Sequence, residues 1–253
     1  MKNLLLLAII IFTCGNAYAK TRTIHVLVAL CDNMHQGIVP VPAKIGNGQD
    51  PANNLYWGCA YGVKTYMKKQ PGWKLVKQIN KPAKHIYERL VFKHTDSAVY
   101  FIADAYDGAQ IKQTTIDFLN FSAGLRKEEI IIDGNKIAAG GNADMLCYIG
   151  HDGLMEFSLD KYPKKADNKK RDVIVLACAS QSYFAEPLKG TGAYPILWTT
   201  NLMCPEAYTL AAAVNAWVKN ASRNKIREEA AAAYHKYQKC GLGFAKKLLV
   251  TGW

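Results

Sequence analysis

The sequence predicts an α/β fold: a three-layer sandwich in which helices cover a mostly parallel β-sheet. Several apolar, β-branched runs are continuous rather than alternating, which is typical of strands buried on both faces. Amphipathic segments of helical length follow several of these runs. No internal repeat, low-complexity region or linker divides the chain, so we expect residues 20–253 to form a single domain.

The first 19 residues predict a segment that is removed from the mature protein. They carry one Lys, an apolar stretch over 4–12, and small residues that end in Ala17-Tyr18-Ala19. This order is typical of a secretory signal peptide, and the apolar stretch is too short for a membrane anchor. We therefore expect a secreted or periplasmic protein with no transmembrane segment.

The chain is basic and carries a formal net charge of +12, or +11 without Lys2. Such a charge attracts anionic surfaces and polyanionic glycans, and it also keeps a protein soluble. An anionic surface partner is therefore one expectation, whereas we expect no specific nucleic-acid partner. The sequence leaves the oligomeric state open.

Six cysteines remain beyond residue 19, which in an oxidising compartment often indicates disulfides. These six are widely scattered in the sequence, and the chain is long enough to form a hydrophobic core without disulfide bonds. We expect one disulfide or none, with Cys147 as a buried thiol.

The first half of the chain predicts two buried strands, over 23–33 and 97–108. A loop rich in Pro and Gly and a helix over 52–69 follow the first strand. The segments WKLVKQ and HIYERLVFKH alternate between apolar and polar residues, which indicates half-exposed strands or an antiparallel excursion. An amphipathic helix over 110–124 follows the second buried strand and ends at Gly124.

The second half predicts three more strands. ADMLCYIGHDG and RDVIVLACAS read as buried strands, the short helix SYFAEPLKG follows, and a fifth buried strand covers 194–200. Two helices complete the chain, PEAYTLAAAVNAWVKN and NKIREEAAAAYHKYQKC. The alanine-rich centre of the second has high helix propensity.

Two residues capable of chemistry end consecutive predicted strands: His151 after MLCYIG and Cys178 after VIVLA. In parallel α/β sheets, ligands bind at the carboxyl ends of the strands. Gly150 and Gly153 leave open backbone beside His151, and the amide of Asp152 or Gly153 could donate toward an oxyanion. A helix beginning near Cys178 would lower the pKa of its thiol.

These residues carry a family resemblance. MLCYIGHDG resembles the His-Gly signature, and VIVLACAS the apolar-Ala-Cys signature, of the caspase, legumain, gingipain and clostripain group of cysteine peptidases. TIHVLVALCDN resembles the first core strand of that group. The resemblance extends over about residues 23–220 and implies a caspase-like fold and hydrolysis of peptide or protein substrates. It implies no cofactor and no catalytic metal.

Carried over residue by residue, the resemblance makes Cys178 the nucleophile and His151 the acid/base. It assigns the oxyanion to the backbone NH groups of Gly153 and Cys178, although here Asp152 stands where the signature has Gly. The implied substrate pocket lies at the end of the first strand and in the segment after the fifth. The substrate-binding residues that we predict are Asp32, Asn33, Asp152 and Thr200, and an acidic Asp32 favours cleavage after Arg or Lys.

Other functions stay open. The main alternative is an inactive, caspase-like binding protein, periplasmic or on the cell surface, that uses its positive charge to hold an anionic partner. A non-peptide amide or ester hydrolase would use the same two residues. No pairing of histidines or cysteines indicates a zinc site, and neither a G-x-S-x-G elbow nor a phosphate-binding loop is present.

Overall fold

The structure is a computed structural model that describes residues 20–253. The predicted signal peptide, residues 1–19, lies outside the described residues. Within the part described, every helix is too short or too polar to cross a membrane.

Ten strands are present in residues 20–253, and eight of them form one sheet. The strands are β1 Arg22–Ala29, β2 Trp73–Ala83, β3 Ile86–His94, β4 Val99–Tyr106, β5 Lys127–Ile132, β6 Asn135–Gly140, β7 Met145–Ile149, β8 Asp172–Leu176, β9 Tyr194–Thr199 and β10 Leu249–Val250. The sheet has the order β10-β9-β8-β7-β1-β4-β3-β2, and β5 pairs with β6 in a separate hairpin.

The sheet is mixed, so the prediction of a mostly parallel sheet is wrong. The central strands β4, β1, β7, β8 and β9 are parallel, whereas β10 and the pair β3 and β2 are antiparallel to their neighbours. Consecutive strands joined by short turns must reverse direction, whereas parallel neighbours need a long crossover. Only Lys84 and His85 separate β2 from β3, which accounts for the antiparallel part.

Six helices accompany the strands of the described residues. They are α1 Val63–Lys68, α2 Ile111–Ala123, α3 Ser180–Thr191, α4 Ala207–Val218, α5 Arg223–Gln238 and α6 Leu242–Leu248. Helix α2 ends at Gly124, which has φ +76°. This left-handed C-terminal cap confirms the predicted role of that glycine.

The central strands divide their side chains between two hydrophobic clusters. Cys147 and Ile149 of β7 belong to a cluster that includes residues of α1, α4, α5 and α6. Leu146 and Tyr148 of the same strand belong to a second cluster, with Phe118 of α2 and residues of α3. Successive residues of a strand point to opposite faces, so both faces of β7 are covered. This burial confirms the reading of MLCYI as a strand with two apolar faces.

A polar network lies within the sheet and joins β4 to its two neighbours, β1 and β3. The guanidinium of Arg89 donates to both carboxylate oxygens of Asp104 at 2.6 Å, and Nε2 of His25 is 2.9 Å from Oδ2. The backbone NH of Gly140 donates to Nδ1 of His25 at 2.8 Å. Nδ1 of His25 is therefore an acceptor, and Nε2 donates to Asp104. Through the bond from Gly140, His25 connects the β5–β6 hairpin to the sheet.

The helix predicted over 52–69 is wrong over most of its length, because only Val63–Lys68 is helical. The preceding residues form turns around the buried side chain of Asn54. This amide accepts from the backbone NH of Cys31 and donates to the carbonyl of Cys31. Asparagine side chains compete in this way with helical hydrogen bonds.

Candidate functional site

His151 follows β7, which ends at Ile149, and is held there by an unusual glycine. Gly150 has φ +139°, and a Cβ at this position would lie 2.6 Å from the carbonyl oxygen of Ala29. Only glycine tolerates this combination. The carbonyl of His151 accepts from the hydroxyl of Tyr148 at 2.8 Å. The backbone at His151 is thus fixed on both sides, and its side chain is largely buried.

Cys178 follows β8 on a sharp turn from strand to helix. The strand ends at Leu176, Ala179 has a left-handed backbone with φ 48°, and α3 begins at Ser180. Ser180 is anchored because its hydroxyl donates to the carbonyl of Val175, and its NH donates to the hydroxyl of Thr199. The turn presents the half-buried Cys178 at the carboxyl edge of the sheet.

The strand register brings the two residues level. Ile149 of β7 is the partner of Leu176 of β8, so His151 and Cys178 each stand two residues beyond a paired position. Neighbouring strands lie about 4.8 Å apart. Within residues 20–253, however, the sulfur of Cys178 forms hydrogen bonds with Met203 and none with His151. It accepts from the backbone NH of Met203 at 3.3 Å and donates to the backbone carbonyl of Met203 at 3.5 Å.

Glu156 is a site residue that our sequence reasoning missed. Its Oε1 lies 2.5 Å from Nε2 of His151 and also accepts from the backbone NH of Gly37. Nε2 is thereby engaged, and among the described residues Nδ1 of His151 has no hydrogen-bond partner. The available signal was a carboxylate five residues after the histidine, in the turn that follows the strand.

Asp152 places a carboxyl group in the interior of the protein. Its side chain is fully buried, Oδ1 accepts from the NH of Leu154, and Oδ2 has no partner in the described part of the chain. Burial, followed by the charge of Glu156, raises the pKa of Asp152 to about 7, although the Leu154 NH opposes this shift. Its full burial keeps this side chain, predicted to bind substrate, away from the protein surface.

The pKa of the Cys178 thiol is raised above its ordinary value, contrary to the sequence-based expectation. Burial is the largest cause, the NH of Met203 opposes it, and the charge of Asp152 raises the pKa further. Desolvation of the thiolate outweighs the favourable position just before a helix. A base is therefore needed to make the thiolate at neutral pH.

Two backbone amides near the pair are free to donate. Within residues 20–253, neither the NH of Gly153 nor that of Cys178 has a hydrogen-bond acceptor. Gly153 begins a short 3-10 helix, Gly153–Met155, capped by the carboxylate of Asp152. Free NH groups beside a nucleophile are the donors that an oxyanion requires.

The remaining predicted substrate-binding residues hydrogen-bond within the protein. The carboxylate of Asp32 is 1 % exposed and accepts from the NH of Met34, the ring of His35 and the amide of Gln49.

The amide of Asn33 pairs with both the NH and the carbonyl of Val41. The hydroxyl of Thr200 donates to the carbonyl of Lys247 at 2.9 Å. Asp32 and Asn33 thus shape the loop after β1, and Thr200 connects the loop after β9 to α6.

Two cavities lie elsewhere on the surface. One, of about 330 Å³, lies between α2 and the loop around Tyr162, and the other, of about 340 Å³, lies between α4 and α5. Within residues 20–253 there is no group of three His, Cys, Asp or Glu side chains that could hold a metal ion. All six cysteines described are free thiols, and Cys147 is fully buried, as predicted.

The chain was compared with protein-family models, with curated proteins and with solved structures. None of the three comparisons found a match.

Proposed function

We propose that the chain is an exported cysteine endopeptidase in which Cys178 is the nucleophile and His151 the acid/base. The observation that carries the proposal is the register of β7 and β8, because each residue follows the last paired position of these neighbouring parallel strands by two residues. Glu156 supports it because it engages Nε2 of His151 and leaves Nδ1 for the thiol proton. A catalytic dyad with an orienting carboxylate requires this arrangement, in which one ring nitrogen binds the carboxylate and the other receives the proton of the thiol.

The proposed reaction uses these groups in sequence. His151 removes the thiol proton, and the sulfur of Cys178 attacks the scissile carbonyl carbon to form a carbon–sulfur bond. The free NH groups of Gly153 and Cys178 stabilise the oxyanion. The imidazolium then protonates the amine as the carbon–nitrogen bond breaks. Water, deprotonated by His151, hydrolyses the thioester and restores the thiol.

We propose further that the fold is caspase-like and three-layered. Supporting this, the strand with the histidine precedes and adjoins the strand with the cysteine, and helices contribute to the clusters on both faces of the central strands. The proposed export depends on the signal-peptide pattern of residues 1–19. Peptides or proteins are the proposed substrates, with no cofactor.

The test is labelling by a thiol-directed peptidyl electrophile at pH 7, followed by peptide hydrolysis. Because burial raises the pKa of the Cys178 thiol, rapid labelling requires the base. We expect Cys178→Ala and His151→Ala each to abolish labelling and hydrolysis. Cys204→Ala is the matched control because Cys204 is more exposed than Cys178, and this variant should retain both. Labelling that His151→Ala leaves unchanged would contradict the proposal.

A binding protein is the second candidate, favoured by the missing hydrogen bond between Cys178 and His151 and by the net charge. In that case the thiol reacts slowly and independently of His151, and the chain binds anionic vesicles or sulfated glycans with strong salt dependence. A non-peptide hydrolase would label at Cys178 in a manner dependent on His151 but would cleave amide or ester probes instead of peptides.

A further inference from the structure

The loops around the candidate pair expose large apolar side chains. Met34 and Val39, after β1, are 84 % and 87 % exposed, and Leu202, after β9, is 65 % exposed. Met155, after β7, and Tyr183, in the first turn of α3, are each 39 % exposed. Isolated exposed apolar residues are common on proteins. Here five of them belong to four segments at one edge of the sheet, and we call this group the apolar rim.

The segments of the apolar rim are joined to the candidate pair by short connections. The loop that carries Met34 and Val39 donates through the NH of Gly37 to Glu156, which contacts His151. Met155 is the residue before Glu156.

On the other side, Leu202 precedes Met203, whose NH and carbonyl both contact the sulfur of Cys178. The NH of Tyr183 donates to the carbonyl of Ala179, the residue after Cys178. A peptide bound across His151 and Cys178 would therefore contact apolar side chains on both sides of the two residues.

The same loops offer little to a cationic side chain. Asp32 and Asp152 are at most 1 % exposed, and the carboxylate of Asp32 already accepts three hydrogen bonds. The side chain of Glu156 is 33 % exposed, but its carboxylate is already engaged by His151 and by the NH of Gly37. Burying a substrate cation without a carboxylate partner is unfavourable. The net charge of +12 further repels basic peptides. The acidic residue that favoured cleavage after Arg or Lys is thus engaged inside the protein.

We propose that the substrates are peptide segments with apolar side chains next to the scissile bond, bound by the apolar rim. This inference rests on the proposed peptidase function and names its substrate class. Apolar contact on both sides of Cys178 supplies the binding energy, and discrimination arises because polar or charged side chains lose solvation there without gaining a partner.

The test uses internally quenched peptides that differ only in the residue before the scissile bond. We expect kcat/KM for Leu or Phe to exceed that for Lys or Asp by about 10-fold or more. Equal or better cleavage of the Lys or Asp peptide would overturn the inference and leave the peptidase intact. Failure to cleave any peptide, together with no labelling of Cys178, would overturn both.

Variants of the apolar rim give a second readout. Met34→Ser and Leu202→Ser should raise KM for the Leu peptide about 5-fold or more while leaving kcat within about 2-fold, because they remove binding surface and not chemistry. Leu125→Ser is the matched control. Leu125 is 56 % exposed but lies beyond the C-terminal end of α2, so KM should not change. Equal KM in wild type, both rim variants and the control would overturn the inference.

Discussion

Nε2 of His151 and Oε1 of Glu156 lie 2.5 Å apart, and the same oxygen accepts from the NH of Gly37. A carboxylate at this distance orients the imidazole and stabilises the imidazolium that forms when a thiol gives up its proton. Glu156 is therefore a positioning residue in the proposed reaction, acting through His151 on the sulfur of Cys178.

Glu156→Gln should lower kcat by about 10-fold or more while KM and the melting temperature change little. The amide keeps the size of the side chain but removes the charge that stabilises the imidazolium. Steady-state kinetics on a cleavable peptide measure the effect. Glu186→Gln, an exposed residue of α3, is the control with the same chemical change. A purely structural role would instead appear as a lower melting temperature with kcat preserved.

Asp152→Asn should stabilise the protein at alkaline pH. The pKa of Asp152 in the folded protein is about 7, above its unfolded value, so the folded state binds the proton more tightly. The associated stability is complete below about pH 4 and is lost as the pH rises through 7. The neutral amide removes this loss, which amounts to a few kcal/mol at most.

Thermal unfolding at pH 5 and pH 9 measures this difference. The variant should gain in melting temperature over wild type mainly at pH 9, whereas the exposed Asp160→Asn should behave like wild type at both values. Removing the charge also lowers the pKa of the Cys178 thiol, so its alkylation rate should rise at a lower pH. An unchanged pH profile for both readouts would contradict the assignment.

Gly150→Ala should destabilise the fold by about 3 kcal/mol or more, through the positive φ and the contact with the carbonyl of Ala29. Urea unfolding gives the free energy of unfolding. Gly243→Ala is the control because it lies in α6 with no atom within 4 Å of the added Cβ. This change should stabilise the protein by up to about 1 kcal/mol. Comparable values for the two variants would be inconsistent with the described turn.

Asp104→Asn should cost about 3 kcal/mol, because the guanidinium of Arg89 loses its buried carboxylate and keeps only the more exposed carboxylate of Glu128, at 3.1 Å. Burial raises the pKa of Asp104, but Arg89 and His25 lower it more strongly, to about 2. The stability that this carboxylate contributes is present above about pH 4 and is lost as the pH falls through 2.

Urea unfolding between pH 2 and pH 7 tests this prediction. The double replacement Arg89→Met with Asp104→Asn should recover part of the lost stability, since it removes both charges together and keeps an acceptor for Nε2 of His25. If Asp104→Asn unfolds at the same urea concentration as the wild type, the stabilising role of the buried ion pair between Arg89 and Asp104 is refuted.

The strands with two apolar faces could be predicted from the sequence because their apolar runs are continuous and leave no polar face for solvent. VIVL and MLCYI both lie in strands, and these two strands are parallel neighbours. The helix over 110–124 is also nearly as predicted, since amphipathic spacing and Gly124 mark its face and its end.

Features that depend on the fold could not be predicted in this way. The β5–β6 hairpin was missed although Asp133-Gly134, with φ of 47° and 77°, is a typical two-residue turn. Asn54 stops a helix by bonding to Cys31, 23 residues away. The raised pKa of the Cys178 thiol depends on how deeply the turn is buried, which local sequence does not specify.

The strand β2 has a consequence for how this protein behaves at high concentration. It ends the sheet and leaves an unpaired edge of 11 residues, a template on which a second copy could add a strand. Lys74, Lys77 and Lys81 lie along this edge, so two copies meeting there would bring like charges together. The basic character of the chain therefore protects this edge of the sheet against aggregation.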